Sequence, residues 1–404
     1  MNWTLFGICQ QEFIPVVTSE LKELGALAPK NLRGGLEFQV PDEATLYRLL
    51  LQTQTLERLL FPLKTFAAQS LPMIFDQTSR IPWKTWLSTE KGSSLQIQIE
   101  TSAQNPLPFP QVMILKKIQE GIRRHFEMAS LPLPTFSKES PLVLVCFYDQ
   151  KKITLSFDLS GRPLHKRGHR QEGHPAPLRE TLAALILRWA GYQGSGPLLD
   201  PFCGSGTLVV EGAYLALHKA IHIHRSKGVF GIEHLKNFNS QVWRSVQEQL
   251  RKEKKADKDF FLGASDIEEK YVKLAQKVAL KARVEKYIHF QQKDFFLYRC
   301  EELPENLLVI GNLPFGERLM EKSDLEEFYR KLGDHLKQQF SGHRAVFLVN
   351  KNSPWKKIGL HPSRKLNFRN GTLENVLLEF ELFGGSRKEH LGRLKEQRPA
   401  QSNL

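Results

Sequence analysis

Cysteine is scarce in this chain of 404 residues: Cys9, Cys146, Cys203 and Cys300 lie far apart and form no CxxC pair. That spacing suggests neither a zinc knuckle nor a disulfide framework, and a reducing compartment is expected. Long apolar runs are missing too, since nothing approaches the roughly eighteen consecutive apolar residues of a membrane span. The start, "MNWTLFGICQQEF", lacks the charged head and long apolar core of a secretory signal, so a cytoplasmic protein with no membrane partner is expected. Acidic residues are outnumbered, 43 against 57 lysines and arginines, which leaves a net charge of +14. Such a field attracts polyanions, nucleic acid first among them. His165, His169, His174, His222 and His224 follow no ligand spacing, and no metal is expected.

What is present is the composition of a folded protein, with 41% hydrophobic and 25% charged residues, long enough for two domains. In "PDEATLYRLLLQTQTLERLL", Asp42 can cap a helix carrying Leu46, Leu49, Leu50 and Leu56 on one face, after a glycine turn and strand in "NLRGGLEF". "SLQIQIE" alternates Leu95, Ile97 and Ile99 as a strand does. "PQVMILKKIQEGIRRHF" sets Val112, Leu115, Ile118, Ile122 and Phe126 at helical spacing, with Lys116, Lys117, Arg123 and Arg124 largely on other faces. "PLVLVCFYDQKKITLSFDLS" reads as two strands joined at Asp149-Gln150. Residues 161–177 then form a connector with a single acid, Glu172, and with Arg162, Lys166, Arg167 and Arg170 among its cations.

Beyond the connector the pattern alternates. Strands are expected at Pro197–Leu199, Lys227–Ile232, Phe260–Ala264, Tyr287–Gln291, Leu307–Gly311 and Arg344–Val349, with helices between most of them. Parallel strands need crossover helices, so this is an α/β sheet covered on both faces. Asn370-Gly371 between two extended runs predicts an antiparallel hairpin at its edge, and the tail from Gly384 has too few apolar groups to pack.

Three strand ends carry acids. In "LLDPFCGSGTLVVEGA" Asp200 is followed by Gly204 and Gly206 and a helix starting near Thr207, a turn that lets the backbone approach a ligand closely. It is not the dinucleotide fingerprint, because Val209 stands where the third glycine belongs. Asp266 ends "FFLGASD" and Asp294 follows "YIHFQQK", so the ligand-binding edge of the sheet presents three carboxylates suited to the amines and hydroxyls of a nucleoside. Each alone reads first as a helix cap, three at consecutive strand ends shift the balance toward a ligand, and Glu233 competes with Asp266 for a ribose by its spacing from the glycines. A fourth strand ends in "GNLPFGERL", where Asn312 can accept from an exocyclic amine, Pro314 fixes the turn and Phe315 offers a stacking face.

"DPFCGSGT" and "NLPFGERL", with "DLSGRPLHKRGHR" and "APLRETLAALIL" upstream, resemble the THUMP-domain RNA guanine-N2 methyltransferases, specifically the bacterial type that modifies large-subunit ribosomal RNA. "ELKELGA", "RGGLEF" and "IPWKTWL" carry the resemblance through the N-terminal part. It implies a ferredoxin-like module over 1–65, a THUMP domain over 66–160, the basic connector 161–177, a Rossmann-like class I methyltransferase domain over 178–383 and a tail over 384–404. It further implies S-adenosylmethionine as donor, held by Asp200, Pro201, Phe202, Cys203, Gly204, Gly206 and Thr207 at its methionine end. Asp266 beside Ile267 would meet the ribose, Asp294 with Phe295 the adenine, and Asn312, Pro314 and Phe315 the guanine. The expected partner is RNA, 23S ribosomal RNA before tRNA, gripped by Lys116, Lys117, Arg123, Arg124, Arg162, Lys166, Arg167 and Arg170. One departure is Asn312-Leu313-Pro314-Phe315, where the ribosomal enzymes usually read Asn-Pro-Pro-Tyr and the tRNA enzymes come closer to this form. DNA adenine-N6 methylation and a non-catalytic role in ribosome assembly are the rival readings.

Overall fold

The computed structural model describes residues 3–89, 93–101, 106–171, 178–253, 260–314 and 322–383. The chain forms two compact units, Met1–Arg167 with Ala220–Lys254, and Gly168–Lys219 with Lys255–Leu404. Phe315, residues 172–177 of the connector and the tail from Gly384 lie outside the described residues.

The first unit is built on an eight-stranded sheet of β1 (Trp3–Ile8), β2 (Leu27–Leu32), β3 (Gly35–Val40), β4 (Arg58–Ala67), β5 (Ser94–Thr101), β6 (Thr135–Phe136), β7 (Val143–Asp149) and β8 (Lys152–Asp158), in the order β2-β3-β1-β4-β8-β7-β5-β6. Strand β4 straddles the boundary expected between the 1–65 and 66–160 modules, pairing with β1 at Arg58–Leu60 and with β8 from Leu60 to Ala67. The helix Glu43–Gln52 starts as its sequence predicts, with Asp42 accepting from the Thr45 N–H at 2.7 Å. The helix Gln111–Met128 is rotated from the expected phase: Ile114, Ile118, Ile122 and Phe126 are buried at i, i+4 spacing, while Val112 is 74% exposed. Gly121 fixes that phase, because a Cβ there would stand 2.8 Å from the Thr78 Cβ of the neighbouring helix Leu71–Ser79.

Residues Ala220–Lys254, expected within the methyltransferase domain, group with the first unit. The predicted strand Lys227–Ile232 is absent there; a 3-10 turn, Gly231–His234, takes its place. Glu233 holds that turn by accepting the N–H groups of Gly228 and Phe230 at 2.9 and 3.1 Å, which gives its carboxylate a local structural task. The helix Ser240–Lys252 then buries Trp243 edge-on to Tyr47 and Phe230, both with centroids at 5.2 Å.

The second unit carries β9 (Leu198–Asp200), β10 (Leu262–Asp266), β11 (His289–Gln292), β12 (Leu308–Asn312), β13 (Arg344–Asn350), β14 (Arg364–Asn370) and β15 (Leu373–Glu381), ordered β11-β10-β9-β12-β13-β15-β14. The first five run parallel and β15 and β14 antiparallel, closed by the Asn370-Gly371 turn with Gly371 at φ 62°. Leu199, Val309, Phe347 and Leu378 are buried in one cluster with Tyr329 and Phe340. The result is a Rossmann-like sheet whose order reverses at β9, and in such sheets the crevice at the carboxyl ends takes the ligand.

Candidate active site

The site starts where β9, β10 and β12 end side by side. Ala264 pairs with Asp200, and Val309 with Leu199, so Asp266 and Asn312 project just past the neighbours of Asp200. Asp200 is buried and accepts the Phe202 N–H at 3.2 Å. Burial pushes its carboxyl up to about 8; the Phe202 N–H opposes this and the nearby Asp266 charge adds to it.

The glycine corner is sewn to the end of β10. Cys203 N–H donates to the Ser265 carbonyl at 2.9 Å, Gly204 N–H to Asp266 Oδ2 at 3.0 Å, and Gly206 N–H back to Cys203 at 2.7 Å. Gly206 has φ 75°, and a Cβ on it would stand 2.8 Å from that of Ala275, so only glycine fits before the helix Thr207–Ala216. Ser205 Oγ and Thr207 Oγ1 meet at 3.1 Å. Asp266 turns its other oxygen to the Glu268 N–H at 3.0 Å. Beside it Ile267 is 62% exposed, an apolar side chain left at the rim of a polar corner.

Asp294 accepts the Phe296 N–H at 3.0 Å and caps the short turn Phe295–Leu297. The Phe295 ring, expected beside an adenine, is instead packed in the core: it stacks on Phe340 with centroids at 5.2 Å and meets His335 edge-on at 5.0 Å. The apolar neighbours on three elements draw it inward, which leaves only its backbone for a ligand.

At the end of β12 the chain is held just after Asn312. Leu313 N–H donates to the Leu348 carbonyl at 3.0 Å with its side chain in the core, and the Pro314 carbonyl accepts the Tyr329 hydroxyl at 3.2 Å. Just before them, Asn312 Oδ1 is buried without a hydrogen-bond partner among the described residues. A buried carbonyl oxygen left unpaired costs about 1–3 kcal/mol, and a ligand N–H would recover it.

Tyr329 was not apparent from the sequence, nor was Tyr298, whose hydroxyl reaches Ser265 Oγ at 3.0 Å behind the end of β10. Their only advance signal is that a buried tyrosine needs a partner for its hydroxyl.

The expected RNA-binding cations divide. Lys116, Arg123 and Arg124 are exposed, Arg123 lying 5.8 Å from the Phe136 ring, while Lys117 is half-buried and pairs with Glu120 at 2.6 Å. Arg162, Lys166 and Arg170 are exposed. Arg167 is a correction: its guanidinium is buried, donating to the carbonyls of Leu164 and Gln54 at 2.7 and 2.8 Å and to His222 at 3.2 Å. It satisfies interior acceptors and is not offered to phosphate. His222, buried beside Arg225 and Arg167, is held well below the usual histidine range, chiefly by burial. No cluster of His, Cys, Asp and Glu among the described residues could hold a metal.

This fold and this strand-end corner define a Rossmann-like class I methyltransferase. Residues 167–379 match the family described as RMKL-like, methyltransferase domain, and the chain belongs to that family. It is 30% identical over 91% of its length to a ribosomal RNA large subunit methyltransferase K/L of Syntrophotalea carbinolica, covering 52% of that protein. It is 32% identical over 89% of its length to the same-named protein of Vibrio parahaemolyticus, covering 50%. The chain thus spans about half the length of the curated relatives it matches. The crystal structure of SMU.472, a candidate methyltransferase complexed with SAH, superposes with a TM-score of 0.84 at 21% identity, over 95% of this chain and 99% of that one. No helix among the described residues is long and apolar enough to cross a membrane.

Proposed function

We propose that the chain transfers a methyl group from S-adenosylmethionine to the N2 amine of a guanosine in 23S ribosomal RNA. The observation that carries this is Asn312 Oδ1, buried at the end of β12 with no partner among the described residues. An exocyclic amine is the donor that oxygen lacks, and a carbonyl held rigidly at that point fixes the amine without reorganising. The family supports methyl transfer, and the names of the relatives point to large-subunit ribosomal RNA.

The donor fits the residues present. Asp200 is a buried carboxylate suited to a cationic amino group, and Gly206 at φ 75° lets the backbone turn tightly at the head of the helix Thr207–Ala216. Exposed Ile267 offers an apolar surface to a base beside the Asp266 carboxylate. Bound there, S-adenosylmethionine supplies an activated methyl on a good leaving group. The protein's task is therefore alignment, with Asn312 accepting from the amine and Pro314, fixed through Tyr329, setting the turn that carries it. A guanine inside a helix cannot reach such a corner, so the target is unpaired or extruded.

The test is mass mapping of methylated nucleosides in ribosomal RNA and tRNA from cells lacking the chain. Loss of one N2-methylguanosine from 23S ribosomal RNA is expected, restored by the wild type and not by Asn312→Ala. Loss from tRNA alone moves the substrate, an N6-methyladenosine deficit in DNA moves the reaction, and an unchanged profile leaves the non-catalytic assembly role.

A further inference from the structure

The carboxyl edge of the second sheet continues past Asn312 to the hairpin. Strand β13 runs parallel to β12 and ends at Asn350, which pairs with Asn375 of antiparallel β15, so the turn Asn370–Leu373 stands on the same edge as Asn312. Two strand spacings, about 10 Å, separate β12 from β15, and three, about 14 Å, separate it from β14. From Lys351 to Thr372 there is no aspartate or glutamate, and there are six lysines and arginines.

The nearest acid is Glu374, and it is shared. Lys351 Nζ and an Arg369 guanidinium nitrogen each lie 2.9 Å from its carboxylate oxygens, so two cations share this one anion. Lys351 is 55% exposed and Arg369 75%. Lys356 and Asn352 are exposed beside them, and Lys357 pairs with Glu326 at 3.1 Å. The loop is tied to the Asn312 corner, because Ser353 Oγ lies 3.3 Å from the Tyr329 hydroxyl that holds Pro314.

A solvated charged face is the ordinary reading of a run of lysines. Two features go further: the run has no acid of its own, and it lies on the edge that must admit the RNA backbone on either side of the target base. We propose that the loop after β13 and the hairpin tip form a phosphate-binding rim for RNA flanking the target guanine, in which Glu374 is an internal counter-ion that a phosphate displaces from Lys351 and Arg369. The inference rests on the RNA methyltransferase reading and adds a contact surface in the second unit.

Exposed charges contribute through released counterions, so each lost phosphate contact lowers the salt slope of binding by about one. The experiment measures binding of unmodified 23S ribosomal RNA fragments spanning the mapped nucleotide, across a salt series, for four proteins: wild type, Lys351→Ala/Arg369→Ala, Lys356→Ala and Glu374→Gln. The double variant is expected to lose about two units of slope and Lys356→Ala about one, with KM for RNA rising and kcat and donor affinity nearly unchanged. Glu374→Gln is expected to bind RNA more tightly, about three- to tenfold at low salt, because it removes a shared counter-ion without removing either cation. A merely structural role for Glu374 predicts no gain. Unchanged slopes, or weaker binding by Glu374→Gln at wild-type donor affinity, overturn the rim while leaving the enzyme reading intact. A wild type that binds donor but neither binds nor methylates these fragments removes the RNA reading, and the rim with it.

Discussion

Two polar side chains end neighbouring strands of one sheet and are treated in opposite ways. Asp266 gives both carboxylate oxygens to the backbone, one to Gly204 N–H and one to Glu268 N–H. Asn312 has its backbone surroundings tied to Leu348 and Tyr329, while its side-chain oxygen is buried with no partner among the described residues. The difference separates preparation from use. At β10 the protein's own hydrogen bonds complete the corner. At β12, among the described residues, they stop one atom short, and it is there that the proposed function puts the substrate's amine.

Asn312→Ala breaks this comparison hardest. Removing the acceptor should cost about 10²–10³-fold in kcat, the range for deleting one preorganised polar contact, with donor affinity within about twofold of wild type. Steady-state kinetics beside calorimetric titration of the donor checks it, and parallel losses in both would make Asn312 a scaffold residue like Asp266. Asp266→Ala should do the reverse. Two backbone N–H groups lose a charged acceptor worth about 1.5–3 kcal/mol each, so donor affinity should fall by about 10–100-fold through a loosened glycine corner. Faster amide exchange at Gly204 would report the loosening directly, and unchanged exchange would contradict it.

How much of this was legible in the sequence depends on how local each cause is. The Asn370-Gly371 hairpin and the Asp42 cap involve residues within a few positions of one another, and both stand where the pattern put them. The presence and parallel run of the strands followed from alternation, except at Lys227–Ile232. There "KGVFGI" has the apolar content of a strand, but Gly231 packs where a Cβ would stand 2.0 Å from the Asp158 carbonyl of another element. Arg167 looked like its connector neighbours because nothing nearby shows that carbonyls at Gln54 and Leu164 need a donor. Phe295 looked like a base-binding aromatic because Phe340 and His335, which enclose it, lie more than a helix away. Residue types at strand ends were readable; which of them face inward was a tertiary decision.

A smaller effect sharpens the preparation side. Gly206→Ala places a Cβ 2.8 Å from Ala275 Cβ at φ 75°, a conformation that costs an ordinary residue about 1–2 kcal/mol before any clash. Thermal unfolding should show a destabilisation of at least that size, together with weaker donor binding. A variant as stable as wild type would mean the corner can shift, and that its hydrogen bonds to β10 are not what fixes it.

The smallest effect concerns protons at Asp200. Its folded-state carboxyl titrates at about 8, against 3.8 for the ordinary group, because burial penalises the charge. The folded protein therefore holds this proton more tightly than the unfolded chain. The stability it contributes is full below the ordinary carboxylate pKa and is lost as pH rises toward about 8. A cationic ligand beside Asp200 reverses the preference, because it favours the ionised carboxylate. Donor binding below pH 8 should then release up to about one proton and tighten by up to about tenfold per pH unit, levelling above the pKa. Calorimetry at pH 6.5 in buffers of different ionisation enthalpy measures the release, and Asp200→Asn should abolish it. Proton release that persists in Asp200→Asn would assign the linkage to another group and place the donor's cationic end elsewhere on the edge.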